Sequence, residues 1–204
     1  MTDTPAACCP PSDLERGVAA FRRHAFWALL VGAAARVADI AETASRDTVG
    51  VAKAAAWLEA TGALERDGDR IVGAHGLTRS PTRHTLGIGG RTLHTWCALD
   101  AVGIPVALGV TATAATTCPT CGKPLAVRVD RGHPHANNDV ALWLPTGPGN
   151  HTRDDFCANA NLFCSPDHLN TWRRQAGAPT GRVVTLDKIA PLAHTLWADI
   201  APGP

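Results

Sequence analysis

The sequence predicts an α+β fold in which an N-terminal three-helix, winged-helix-like region packs on a mixed α/β core. Two patterns and one compositional fact lead there. Three stretches of helix-period apolar residues between Leu14 and Gly62 run directly into a hairpin signal at Asp67-Gly68. From Thr82 onward, short strand-like runs are interleaved with helix-like segments. Hydrophobic residues make up 45% and charged residues 18% of the 204, which suits a packed globule rather than a disordered chain.

Met1 to Asp13 reads as a flexible tail, with Pro5, Pro10 and Pro11 and no apolar period. Leu14 to Ala34 is the first predicted helix, with Val18, Phe21, Ala25 and Leu29 on one face. Arg36 to Ala44 is the second. The third takes Asp47 or Thr48 as N-cap, carries Val51, Ala55 and Leu58 on one face, and stops at Gly62. Ala63 to Arg66 and Arg70 to Val72 then form the hairpin, completing a winged-helix-like region over 14–80. In the core, 81–204, a strand is expected at Thr82–Ile88 and a turn at Gly89-Gly90. A short helix is expected at Leu93–Ala101, ended by Gly103 and Pro105, with a buried strand at Ile104–Val110. Further strands are expected at Leu125–Val129, Val140–Leu144 and Arg182–Leu186. Asp155 to Phe163 is ambiguous. Ser165-Pro166 opens a helix through Arg174, and Lys188 to Ile200 is the last helix.

Nineteen basic against eighteen acidic side chains leave a formal charge of +1, which excludes a polybasic nucleic-acid or membrane-surface protein on bulk charge. The third helix carries one Lys against Asp47 and Glu59, and Ala54-Ala55-Ala56 offers no base-reading side chains. No nucleic-acid partner is therefore expected. The start of the chain is polar, and the longest apolar stretch, Ala25 to Ala35, is too short to span a bilayer. No membrane association and a cytoplasmic location are expected.

Disulfide frameworks are rare in that compartment, so the seven cysteines read as metal ligands, reactive thiols or buried side chains. Cys97 and Asp100 share one face if the segment is helical. A carboxylate beside a thiol raises the thiol pKa, which is the reverse of simple nucleophile activation. The pair makes chemical sense if Asp100 carries a proton, but CxxD alone is a weak signal and reads more readily as a buried Cys with a solvated or capping Asp. Asp155-Phe156-Cys157 is a second constellation, and only tertiary structure can bring it to the first. Cys118-Pro119-Thr120-Cys121-Gly122 is a third, a CxxC of the kind used for zinc. It lacks a second CxxC, and His133 and His135 are candidates to complete the site.

The run Leu93-His94-Thr95-Trp96-Cys97-Ala98-Leu99-Asp100 resembles the signature of the alkylmercury (organomercurial) lyases. The resemblance extends over about residues 14 to 200. It includes Ile71 to Thr78 as the wing and linker, Thr117-Cys118 at a third family cysteine, Asp155-Phe156-Cys157, and Phe163 to Trp172. It implies that 81–204 is the catalytic core and that the protein is an enzyme for mercury detoxification. Such an enzyme cleaves the carbon–mercury bond by protonolysis to give a hydrocarbon and Hg(II). By position, Cys97 and Cys157 become the mercury-binding thiolates, and Asp100 the acid, in reach of the metal. Thiolates suit a soft cation, and a poor carbanion leaving group has to be protonated as it departs. No organic cofactor or catalytic metal is implied, only external low-molecular-weight thiols for turnover and mercuric reductase as an acceptor of Hg(II).

The sequence departs from the family pattern at several positions. His94 stands where Tyr is common, which bears on the pocket edge or the local pKa. Cys121 and Cys164 are additional, as is the Cys8-Cys9 pair, whose roles as tail residues or auxiliary mercury ligands stay open. Two alternatives remain at this point: a thiol- or metal-binding winged-helix regulator, and a relative of lyase fold that binds zinc through Cys118 and Cys121.

Overall fold

The computed structural model describes residues 12–46, 50–136, 139–146, 151–175, 177 and 180–200. Cys8, Cys9, Asp47 and Thr48 lie outside these residues. Helix α1 (Asp13–Leu30) starts one residue earlier than expected because Ser12 caps it. Ser12 Oγ accepts the Glu15 N–H at 3.2 Å, and the Glu15 carboxylate accepts the Ser12 N–H at 2.6 Å. Helix α2 (Val37–Ser45) follows, then α3 (Val51–Ala60), whose N-cap is Gly50. Phe21, Ala25, Phe26, Ile40, Ala44, Val51, Ala54 and Leu58 from these three helices are buried in one core. Strands β1 (Leu64–Asp67) and β2 (Arg70–Ala74) form the expected antiparallel hairpin around Asp67-Gly68.

The hairpin is the edge of a larger sheet. Adding β3 (Leu77–Thr78), β4 (Thr85–Ile88), β5 (Arg91–Thr95), β6 (Ala112–Thr117), β7 (Pro124–Asp130) and β8 (His133–His135) gives eight strands. Their spatial order is β1-β2-β3-β5-β4-β6-β7-β8, and every pairing is antiparallel. A three-stranded antiparallel sheet holds β9 (Ala141–Pro145) between β10 (Asn161–Phe163) and β11 (Gly181–Val184). Helix α4 (Ala98–Ala107) contacts strands of both sheets and also helix α6 (Ile189–Leu196). Helix α5 (Pro166–Gln175) packs on β9 and β10, with the Ser165 hydroxyl accepting the His168 N–H at 3.3 Å. Among the described residues, no helix is long and apolar enough to cross a membrane.

Two expectations around α4 are overturned. Leu93 to Thr95 belongs to a strand, not a helix, because Gly89 and Gly90, both with positive φ, close a two-residue hairpin that pairs β5 with β4. The helix starts only after Cys97 and continues through Gly103 and Pro105, so Ile104 to Ala107 is helical rather than a strand. All ten residues of α4 are buried, and a segment apolar on every side carries no period to separate helix from strand. That burial offsets the roughly 3 kcal/mol that an internal proline costs. Gly103 is needed for packing rather than termination: a Cβ there would sit 2.5 Å from the Trp197 ring.

Smaller differences follow the same logic. The short strands β6 and β8 carry Thr, His and Pro and lack an apolar alternation, so only their neighbours in the sheet define them. The ambiguous 155–163 segment divides into a π-helical turn (Thr152–Cys157) and strand β10.

Candidate active site

Cys97 is the residue at which strand β5 gives way to helix α4, and it sits in the N-cap position with extended backbone angles. Asp100, at the third helical position, turns back in the manner of a capping box, and its Oδ2 accepts the Cys97 N–H at 3.0 Å. The two residues therefore meet across a helix start rather than along one helical face. Thr95, fully buried, donates its hydroxyl to the Cys97 carbonyl at 3.0 Å and fixes the strand exit.

Cys157 arrives from the last position of the π-helical turn, a local geometry that recurs at functional sites. The Ala98 N–H donates to the Ala160 carbonyl at 3.2 Å, which ties the start of α4 to the segment just after Cys157. One potential ligand atom from each of Cys97, Asp100 and Cys157 then lies within 4.8 Å of the others, and all three residues are buried. The Cys157 thiol faces Asp100 Oδ2 at 4.0 Å. The tertiary fold thus brings together the three residues singled out in the sequence.

Burial dominates the electrostatics of Asp100 and Cys97. It pushes the Asp100 carboxyl up to about 7, against the downward pull of its hydrogen bonds with Cys97. Burial, the hydrogen bond with Cys157 and the Asp100 charge push the Cys97 thiol well above its usual range. The contact with Cys97 lowers Cys157, but burial and the Asp100 charge outweigh it, so this thiol is raised too. At neutral pH the site therefore holds two protonated thiols beside a carboxyl group that can gain or lose a proton.

Asp100 and Cys157 line a cavity of about 1200 Å³, whereas Cys97, with no exposed surface, lies behind them. Trp57, His75, Trp96, Phe156 and Trp197 supply aromatic walls. Trp57 comes from α3, so the N-terminal helices contribute directly to the lining of the cavity. His94, expected to bear on the pocket edge, does not line it: its Nδ1 lies 3.1 Å from the Thr82 backbone nitrogen.

Sequence reasoning missed three supports. Glu65, on the hairpin strand β1, accepts hydrogen bonds from Thr78 Oγ1 at 2.8 Å, Ser80 Oγ at 2.6 Å and Trp96 Nε1 at 3.2 Å. Its Oε2 also lies 3.9 Å from the Arg153 guanidinium. Burial opposes its charge, yet those donors and Arg153 hold its carboxyl below the usual range. Glu65 therefore clamps Trp96, next to Cys97, and Arg153, in the turn that carries Cys157. Gly76, at φ +96°, is the second support: a Cβ there would stand 2.7 Å from Asp100 Oδ1. His75 is the third, largely buried and 3.5 Å from Asp199; burial depresses its pKa below the ordinary value despite that partner. The Gly in His75-Gly76-Leu77 was a readable turn signal, but nothing local pointed Glu65 at Trp96.

Cys118 and Cys121 are placed away from the trio, in a second group with Cys164 and His168. His133 and His135, the candidate completing ligands, instead form strand β8 and are absent from that group. The missing half-site is Cys164-x3-His168, a spacing that is not a second CxxC and that only the fold brings beside Cys118 and Cys121. Burial of Cys118 resists its ionisation, but backbone N–H donors from Cys164, Cys121 and Thr120, with the His168 ring, bring its pKa down to about 6.

The alkylmercury lyase family model matches residues 77–198, which include both cysteines and the aspartate of the buried trio. An alkylmercury lyase of Pseudomonas putida is 32% identical over 139 residues, covering 63% of this chain and 65% of that protein. One from Streptomyces lividans is 34% identical over 107 residues, covering 50% and 49%. One from Bacillus cereus is 28% identical over 160 residues, covering 76% and 71%. The matched regions thus span from about half to less than three quarters of these relatives. The crystal structure of the mercury-bound form of MerB2 superposes with a TM-score of 0.80 at 23% identity, covering 96% of this chain and 94% of that one, which establishes a shared fold. With the matched segment covering more than half of the chain and its whole buried cysteine–aspartate group, the protein belongs to the alkylmercury lyase family.

Proposed function

We propose that this protein is an organomercurial lyase that cleaves carbon–mercury bonds by protonolysis, with Cys97, Cys157 and Asp100 as its reacting groups. The observation that carries the reading is the convergence of two thiols and one carboxyl group within 4.8 Å at the wall of an aromatic cavity. Cys157 lines the cavity and meets the organomercurial R–Hg–X first. Its sulfur displaces X, and the thiol proton departs with X as HX, giving S–Hg–R. Cys97 then adds as the second thiolate while Asp100 takes up its proton. Two sulfurs on mercury raise the electron density on the bound carbon. The Asp100 O–H delivers its proton to that carbon as the Hg–C bond breaks, releasing R–H and leaving Hg(II) on the two sulfurs.

The carboxyl value of about 7 matches this double duty, since an acid–base group works best with a pKa near the operating pH. Turnover then requires external low-molecular-weight thiols to strip Hg(II), with mercuric reductase as a suitable final acceptor. A cytoplasmic setting, where thiols stay reduced, fits that requirement. Residues 14–80 act as a winged-helix-like cover over the catalytic unit 81–204. Trp57 reaching the cavity and Glu65 clamping Trp96 support a covering role for that region.

The test is release of Hg(II) and hydrocarbon from phenylmercury or methylmercury in excess thiol. Wild-type protein turns over; Cys157→Ser does not. Retained turnover in that variant overturns the assignment of Cys157.

A further inference from the structure

We infer that Cys118, Cys121, Cys164 and His168 form a tetrahedral zinc site, separate from the mercury-reacting trio, that staples the β6–β7 turn to the first turn of α5 and the chain just before it. One ligand atom from each residue lies within 4.8 Å of the other three. Cys121 Sγ and Cys164 Sγ are 3.7 Å apart, and two sulfurs each about 2.3 Å from zinc stand about 3.8 Å apart in a tetrahedron. Cys118 Sγ lies 3.9 Å from His168 Nδ1. Cys164 Sγ and His168 Nδ1, at 2.9 Å, open by roughly half an ångström to share one ion.

The surroundings are those of a metal knuckle rather than a chance gathering of thiols. Cys118-Pro119-Thr120-Cys121-Gly122 makes a tight turn in which the Gly122 N–H donates to the Cys118 carbonyl at 2.8 Å. Gly122 takes a φ of +72°, which a side chain at that position would resist. The Thr120 hydroxyl donates to the His168 carbonyl at 2.8 Å, so the two halves are already joined beside the sulfurs. The spacing is Cys-x2-Cys followed by Cys-x3-His, and all four ligands come from the protein, as in closed structural sites.

Zinc is favoured over mercury by coordination number. Mercury(II) is satisfied by two thiolates, whereas three sulfurs and one imidazole in a closed tetrahedron match zinc. The location gives the site a purpose. Cys164 lies seven residues after Cys157 on the same segment, just past strand β10, so a zinc staple would anchor the chain that follows the Cys157 turn.

The test is metal analysis of the full chain expressed with zinc in the medium and purified without chelators. About one zinc per chain is expected, unchanged in the Cys97→Ser/Cys157→Ser double variant and lost in Cys121→Ser and in His168→Ala. Replacing zinc with cobalt(II) should give the intense visible d–d bands of a tetrahedral sulfur–nitrogen site. Removing the metal with a chelator should lower Tm by more than about 5 °C, recovered on adding zinc. Cys121 is exposed, so its variant should fold, and the cobalt spectrum of the wild-type chain serves if it does not. Protein that carries no zinc and gives no tetrahedral cobalt spectrum overturns the proposal. So does a metal lost with the Cys97/Cys157 pair, or a Cys121–Cys164 disulfide in protein alkylated at lysis.

Discussion

The Cys157 sulfur stands 4.0 Å from Oδ2 of Asp100, the same oxygen that accepts the Cys97 N–H at 3.0 Å. One carboxylate oxygen is thus shared between both thiol-bearing residues, and in the proposed mechanism it moves a proton between sulfur and a carbon held at mercury. Replacing Asp100 by Asn keeps the size and an oxygen acceptor for Cys97 but removes the transferable proton. Asp100→Asn is expected to bind phenylmercury while hydrocarbon release falls by about 10²–10⁴-fold. Binding by mercury analysis and release by gas chromatography separate the two effects; an equal loss of both assigns Asp100 a structural role.

The same carboxyl group makes stability depend on pH. Its pKa is raised in the folded state, from 3.8 to about 7, so the native protein holds a proton that the unfolded chain has released. This contribution is fully present below pH ~4 and is lost as pH rises through about 7, an amount on the order of 4 kcal/mol. Asp100→Asn should flatten that decline and gain stability relative to wild type at pH 8. Urea unfolding at a series of pH values measures it, and parallel curves for the two proteins would refute it.

The thiols should not be equivalent. Cys157 lines the cavity and Cys97 lies behind it, so Cys97→Ser should still capture one organomercurial rapidly without cleaving it. Cys157→Ser should slow capture itself by tenfold or more, on the order of one barrier increment of 1.4 kcal/mol. Stopped-flow quenching of the cavity tryptophans follows both, and the opposite ranking would reverse the order of attack.

Glu65 is a positioning residue, since it acts through Trp96 and Arg153. Glu65→Gln keeps one acceptor oxygen but removes the charge that gathers three donors, costing about 1–3 kcal/mol. Turnover should fall while the pH profile set by Asp100 stays in place. A profile that moves with this substitution would mean that Glu65 reaches the reacting groups electrostatically.

Gly76→Ala should be more damaging than a one-carbon change suggests. The φ of +96° is strained for alanine, and the added Cβ would meet Asp100 Oδ1 at 2.7 Å. A loss of roughly 1–3 kcal/mol is expected, with a drop in hydrocarbon release beyond that of an equally destabilised surface variant. Thermal unfolding beside turnover provides the comparison.

The first three helices and the Asp67-Gly68 hairpin were legible because apolar spacing and turn chemistry are local. So was the run from Leu93 to Asp100 as a place of interest, though its conformation was not. Gly89-Gly90 closes a hairpin that draws Leu93–Thr95 into the sheet, and pairing with β4 overrides a helical spacing of apolar residues. Helix α4 was misread at Ile104 for a related reason: enclosure by two sheets and α6 removes the polar face by which a helix declares itself.

Residue types and spacing marked Cys97 with Asp100, Asp155-Phe156-Cys157 and the Cys118–Cys121 turn as constellations, and the resemblance to the alkylmercury lyases is what implied roles for Cys97, Asp100 and Cys157. Chain distance separates Cys97 from Cys157 and Cys121 from Cys164, so no local pattern could state that either pair meets. The fold decided that, through the Ala98–Ala160 hydrogen bond at one site and the Thr120–His168 hydrogen bond at the other. It also decided the proton chemistry. The sequence supplies a carboxylate of ordinary acidity, and only burial in the wall of an aromatic cavity, a property of the packed whole, lifts it to about 7.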